Sequence, residues 1–143
     1  MINNIPIGAL MLLITTGIHA IVSRKIIKLT TGLLNSKKKF VIPKTYWIGL
    51  IVLAMFFASL VESFAWALAY LSLNVIDGIE NAFYFSLVCY TTVGFGDIVL
   101  HDKYRLLSTI EAANGIIIFG WSTAIVMALL QRISFGPQAG KKN

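Results

Sequence analysis

Three long apolar segments set the strongest constraint on what this chain can fold into. They run from about Ile5 to Val22, from about Tyr46 to Leu73 and from about Leu106 to Leu130. A helix needs roughly 20 residues to cross the hydrocarbon of a bilayer, so the last two segments are long enough and the first is marginal. Because 57% of the 143 residues are hydrophobic and only 13% are charged, the chain cannot cover these segments in water. The sequence predicts an all-α membrane protein with three transmembrane helices.

The basic residues predict how these helices are oriented. Seven of the twelve lie between Arg24 and Lys44, including the run at 37–39, and three more follow the third segment. Because Lys and Arg are enriched in cytoplasmic loops, this linker and the C-terminal tail are predicted to be cytoplasmic, in a multi-pass protein of the cell membrane. The N-terminus and residues 74–105 are then outside. Since the charges follow the first apolar segment, we interpret it as a retained helix rather than a signal peptide.

The same distribution of charge bears on partners. The net charge of +6 is accounted for by topology, so nucleic acid is not a predicted partner. The linker from Arg24 to Lys44 could also bind anionic lipid. The single cysteine, Cys89, excludes an intrachain disulfide framework.

A shorter apolar piece, from Ile79 to Tyr90, lies between the second and third segments. It is too short to span, which predicts a re-entrant helix that enters the membrane from the outer side. Asp77 is expected to cap this helix, with Glu80 three residues later completing a capping box. The chain must then return through residues 91–97 without helical structure. At membrane depth such backbone is tolerated only when it is buried in protein or lines an aqueous cavity.

Two glycines determine the conformations open to this returning stretch. Gly94 and Gly96 alternate with Val93 and Phe95. Glycine adopts left-handed conformations cheaply, so the alternation would let successive carbonyl groups point to one side of the chain. Several copies around an axis would stack these oxygens into rings that replace the water shell of a cation. The negative end of the re-entrant helix dipole would point toward the same axis.

Residues 91–97, TTVGFGD, resemble the selectivity filter of the potassium-channel pore family, with Phe in place of the more frequent Tyr. The third apolar segment is similar to that of small bacterial members, which commonly carry an extra N-terminal helix. The resemblance implies three regions: an N-terminal helix and basic linker at 1–45, a pore module at 46–132 and a short tail at 133–143. The pore module would contain an outer helix, a pore helix, the filter and an inner helix.

The resemblance also implies roles for individual residues. K+ would bind to successive backbone carbonyl groups, those of Thr92, Val93, Gly94 and Phe95. The Thr92 hydroxyl would close the inner end, and Gly96 would shape the outer mouth. A further set would support the filter: Thr91, Asp97, Tyr84 and Glu111. Because one chain supplies one filter strand, the resemblance implies a homotetramer that conducts K+ passively and needs no cofactor.

Some positions depart from the family pattern or carry charge in apolar surroundings. Family members often place a carboxylate behind the filter where this chain has Val88, so Asp97 is expected to rely on Tyr84, water or another group. Glu111 either braces the pore helix through Tyr90 or Thr91 or lies near the interface and reaches water. The brace is favoured, because ionisable groups in membranes usually have a function. A further carboxylate, that of Glu62, is expected to form a buried hydrogen bond to a neighbouring helix.

Two glycines and two histidines each allow two interpretations. Gly115 and Gly120 interrupt the third segment and act either as gating hinges or as sites of close helix packing. His19 and His101 are either pH sensors or ordinary polar residues, hydrogen-bonded or reaching water. With Cys89 they give no metal-site spacing.

The function implied by the resemblance is potassium-selective conduction. A weakly selective cation channel and a non-conducting regulatory subunit are the alternatives. The sequence contains no nucleophile–base or metal constellation that predicts an enzyme. It also lacks the regularly spaced arginines of a voltage sensor, so the gating stimulus is not identified.

Overall fold

The computed structural model describes residues 4–35 and 43–135. Four helices follow one another along the chain: α1 (Ile5–Asn35), α2 (Lys44–Ser72), α3 (Ile79–Tyr90) and α4 (Arg105–Phe135). All but α3 are long and apolar enough to cross a membrane. No strand occurs within the described ranges. The all-α fold with three candidate transmembrane helices is therefore confirmed. The predicted cytoplasmic lysine run at 37–39 and the tail from residue 136 lie outside the described residues.

Helix α1 continues well beyond the apolar segment that predicted it. That segment ends near Val22, whereas the helix extends through three basic residues to Asn35. Lys and Arg are good helix formers, and apolar residues recur among them. Ile26 and Leu34 pack against a buried cluster formed by α2 and α4. Most of the described part of the predicted basic linker is therefore helical.

Two apolar clusters hold the four helices together. One lies around Trp66, Tyr70 and Ile118 and includes Tyr90 of α3 and Met11 of α1. The other joins the first half of α2 to the last half of α4, with side chains from the second half of α1 packed against it. Helix α1 thus packs on both α2 and α4, and α3 packs between α2 and α4.

Helix α3 has the predicted bounds, but its predicted cap is wrong. The N-cap residue is Gly78, with a φ of 83°, and no side chain caps the helix. A positive φ favours glycine, and this turn leaves Asp77 one residue before the cap position. The Asp77 carbonyl oxygen instead accepts a hydrogen bond from Asn81 Nδ2 at 3.1 Å.

Candidate functional site

Residues 91–97 leave the C-terminal end of α3 as backbone without regular structure. Positive φ angles recur at alternate residues, 61° at Thr92, 56° at Gly94 and 78° at Gly96. Glycine adopts these angles at no steric cost, whereas a β-branched threonine does so only when the surrounding structure requires it. The alternation predicted from the two glycines is present. The alternation begins two residues before Gly94, at Thr92, although threonine does not predict a positive φ.

The N–H groups at the start of this stretch are held by the end of α3. The Thr92 N–H donates to the Cys89 carbonyl oxygen at 2.9 Å. Those of Val93 and Gly94 donate to the Val88 carbonyl oxygen at 3.1 and 3.4 Å. Among the described residues, no backbone N–H donates to the next carbonyl oxygens, those of Thr92, Val93, Gly94 and Phe95. The donors are thus satisfied within the chain, while a row of acceptors is free to bind a ligand.

The same stretch is exposed in the single chain. The side chains of Val93 and Phe95 are 53% and 69% exposed, although both are apolar. Backbone without regular structure at membrane depth must be buried in protein or line a water-filled cavity. If residues 91–97 lie at membrane depth, as the sequence predicts, a single chain does not complete the surroundings that they require.

Asp97, at the end of the stretch, is held by α3. The Tyr84 hydroxyl donates to Asp97 Oδ2 at 2.7 Å. This hydrogen bond raises the pKa of Tyr84 and lowers the pKa of Asp97, because it stabilises the protonated phenol and the ionised carboxylate together. Of the partners considered for Asp97 from the sequence, Tyr84 is the one in contact. Thr91 also bonds to α3, with its hydroxyl 2.7 Å from the Leu87 carbonyl oxygen.

Behind α3, Glu111 of α4 contacts two other helices. It is fully buried, and its Oε2 accepts a hydrogen bond from the Tyr70 hydroxyl at 2.6 Å. Its Oε1 lies 2.5 Å from Ser86 Oγ on α3. The expectation that Glu111 contacts the pore helix through Tyr90 or Thr91 is wrong in its partner. Ser86 makes the contact, because the Tyr90 hydroxyl points toward α2.

A second buried carboxylate, Glu62 of α2, joins the remaining helices. Its Oε2 accepts a hydrogen bond from the Tyr90 hydroxyl at 2.5 Å, and its Oε1 lies 2.9 Å from His19 Nδ1. The other ring nitrogen of His19 lies 3.3 Å from Ser122 Oγ on α4. The expected hydrogen bond from Glu62 to a neighbouring helix is present. His19 is fully buried, whereas His101 is exposed in the loop before α4.

The two glycines of α4 differ in their surroundings. A Cβ atom at Gly115 would overlap the backbone carbonyl of Tyr90, whereas a Cβ at Gly120 would meet nothing within 4 Å. Close packing therefore accounts for Gly115. The hinge interpretation stays a prediction for Gly120, where no contact requires glycine.

Sequence reasoning missed several polar groups of this region. Ser86 and Tyr70 hold Glu111, and Asn114 Nδ2 of α4 donates to Thr15 Oγ1 of α1 at 2.7 Å. The available signal was a polar side chain inside an apolar helix. That signal marks a residue that needs a partner but does not say which helix supplies it.

A family model described as an ion channel matches residues 51–132. The matched range contains α3, residues 91–97 and most of α2 and α4. Comparison with curated proteins and with solved structures gives no match.

Proposed function

This chain belongs to the ion channel family, and we propose that the channel it forms is selective for K+. The observation that carries the proposal is the row of free carbonyl oxygens at residues 92–95, on backbone whose φ angles alternate in sign. Rings of backbone carbonyl groups can replace the hydration shell of K+. Conduction would be passive, down the electrochemical gradient.

We propose that the pore is a homotetramer. One chain supplies one strand of carbonyl groups, and residues 91–97 are exposed in that chain. Closed cyclic symmetry would bring four such strands around one axis. It would also bury Val93 and Phe95 against neighbouring subunits, which supplies the surroundings that backbone of this kind needs in a membrane.

The proposed orientation places the C-terminal halves of α1 and α4 at the cytoplasmic side of the cell membrane. A groove between these helices carries Arg24 and Lys28 on α1, and an adjoining groove extends to Arg132 on α4. Basic residues at this level favour the cytoplasmic side. They would also attract anionic lipid headgroups, as proposed for the linker that follows.

The proposal is tested by ion flux into liposomes that contain the purified protein, with K+ and Na+ compared. Wild-type protein is expected to pass K+ well ahead of Na+. Gly94→Ala is expected to abolish this flux or its selectivity, because alanine is strained at a φ of 56°. Gly49→Ala is the matched control, since Gly49 lies in α2 with open space around its Cα.

Each other outcome contradicts part of the proposal. Equal flux of K+ and Na+ through the wild-type protein would leave a weakly selective cation channel. Absence of flux across a range of pH and lipid composition would favour a non-conducting subunit. Wild-type flux from Gly94→Ala would show that residues 92–95 do not form the conducting path.

A further inference from the structure

We propose that His19 and Glu62 are positioning residues for the filter, acting through Tyr90, so that α1 is a working part of the pore. The inference rests on the proposed function for its effect on selectivity. The four helices are joined by a chain of three hydrogen bonds. Tyr90 of α3 bonds to Glu62 of α2, Glu62 bonds to His19 of α1, and His19 bonds to Ser122 of α4. Within residues 4–35 and 43–135, no other hydrogen bonds link α1 to the end of α3 so directly.

Tyr90 is the last residue of α3 and is fixed from three sides. Its hydroxyl donates to Glu62 Oε2 at 2.5 Å. Its ring packs edge-on against Phe119, with centroids 5.8 Å apart. Its backbone carbonyl lies so close to Gly115 that no larger residue fits there. Because the chain continues directly into the filter, a shift of Tyr90 must move Thr92.

Glu62 can hold Tyr90 only if its own carboxylate is held. The carboxylate is fully buried, and its second oxygen lies 2.9 Å from His19 Nδ1. A buried carboxylate that loses a partner incurs a large desolvation cost, so it would turn toward any other donor. The His19 ring is in turn placed by Ser122 Oγ and by edge-on contact with Trp121 at 5.3 Å. Removal of the imidazole on α1 should therefore loosen the end of α3.

A second buried hydrogen bond of α1 provides the control. Asn114 Nδ2 donates to Thr15 Oγ1 at 2.7 Å, a hydrogen bond that joins α1 to α4 and includes no residue of α3. Thr15→Val keeps the side-chain volume and removes this bond. Its effect on stability should resemble that of losing one buried hydrogen bond elsewhere in α1. Any effect on the filter that appears with His19 variants but not with Thr15→Val belongs to the path through Glu62.

The direct test is amide hydrogen exchange of the full-length protein in lipid, followed at the N–H groups of Val93 and Gly94. These groups donate to the Val88 carbonyl oxygen and report on whether the filter stays docked on α3. Tyr90→Phe removes only one hydroxyl and is expected to raise their exchange rates about tenfold, as is His19→Leu. Thr15→Val is expected to leave these rates at the wild-type value.

Selectivity supplies the second measurement. Tyr90→Phe and His19→Leu are expected to lower the ratio of K+ flux to Na+ flux. Glu62→Gln, which keeps an oxygen to accept from Tyr90, should retain more of this ratio than Glu62→Leu. Wild-type exchange rates in Tyr90→Phe would overturn the inference, as would an equal rise in Thr15→Val. If the wild-type protein carries no selective flux, the proposed function fails, while the exchange rates still decide the inference.

Discussion

At the scale of single residues, the conformation of residues 91–97 depends on hydrogen bonds that a sequence pattern does not specify. The pattern TTVGFGD predicted which carbonyl groups would be available to bind an ion and that its two glycines would have a positive φ. It gave no indication that Thr92 would share this conformation. It also offered several partners for Asp97, of which Tyr84 is in contact. The hydrogen-bond partner of Asp97 depends on how α3 packs against residues 91–97. A short sequence pattern does not specify this packing.

The Tyr84–Asp97 hydrogen bond predicts a pH dependence at the end of residues 91–97. Because the pKa of Asp97 is lowered in the folded protein, the bond stabilises the folded protein above the ordinary carboxyl pKa. This stabilisation is lost as the pH falls through the lowered pKa. Tyr84→Phe should raise the Asp97 pKa toward its ordinary value, measured by NMR titration of 13C-labelled aspartate. An unchanged titration of Asp97 in this variant would contradict the prediction, and the Asp77 and Asp102 signals serve as internal controls.

At the scale of helices, apolar length predicted most of the fold. The predicted α3, from Ile79 to Tyr90, has the observed bounds because its length and its flanking polar residues mark both ends. The extension of α1 to Asn35 was not predicted, because its basic residues were interpreted only as a topology signal. The N-cap at Gly78 was not predicted, because Asp77 and Glu80 have the spacing of a capping box. The N-cap position is determined by the backbone conformation, which turns at Gly78.

Gly115 predicts how closely α4 must approach α3. Gly115→Ala would force the Tyr90 carbonyl away from α4, and overpacking of this kind costs about 1–3 kcal/mol. Thermal unfolding should show this loss, together with reduced K+ flux. Gly120→Ala is the matched control, since it adds a methyl group into open space and replaces a poor helix former. Equal stability of the two variants would contradict the packing argument, and altered gating in Gly120→Ala alone would support a hinge at that position.

At the scale of the whole molecule, the single chain leaves apolar and polar groups exposed. Apolar side chains are exposed along all three long helices, as expected of surfaces that meet lipid or other subunits. The exposed residues 91–97 are different, because their free groups are polar and lipid cannot supply partners for them. The sequence could predict this requirement from one short stretch. It could not predict that α1 would pack on α2 and α4, or that His19 of α1 would contact Glu62, which in turn contacts Tyr90 at the end of α3.

If the proposed tetramer shares bound K+, its stability should depend on which ion is present. A ligand that binds only the assembled form stabilises it by mass action. The temperature at which the subunits dissociate should therefore rise with K+ concentration and less with Na+, as followed by size-exclusion chromatography after heating. Gly94→Ala should lose the difference between the two salts. Dissociation at the same temperature in both salts would contradict a shared K+ site in the wild-type protein.

The free carbonyl oxygens at residues 92–95 have a consequence for how the protein can be altered. On the proposed function, the groups that bind the ion are backbone carbonyl oxygens, which every amino acid has. Substitution of Val93 or Phe95 therefore changes a side chain beside the ion site and leaves the carbonyl oxygen in place. Alanine substitution changes side chains only and does not remove these carbonyl groups. Replacement of the amide after Gly94 or Phe95 by an ester weakens one carbonyl acceptor at unchanged side chains. The N–H group that this ester removes, that of Phe95 or Gly96, donates to no backbone carbonyl group among the described residues, so the exchange tests these two proposed ligands one oxygen at a time.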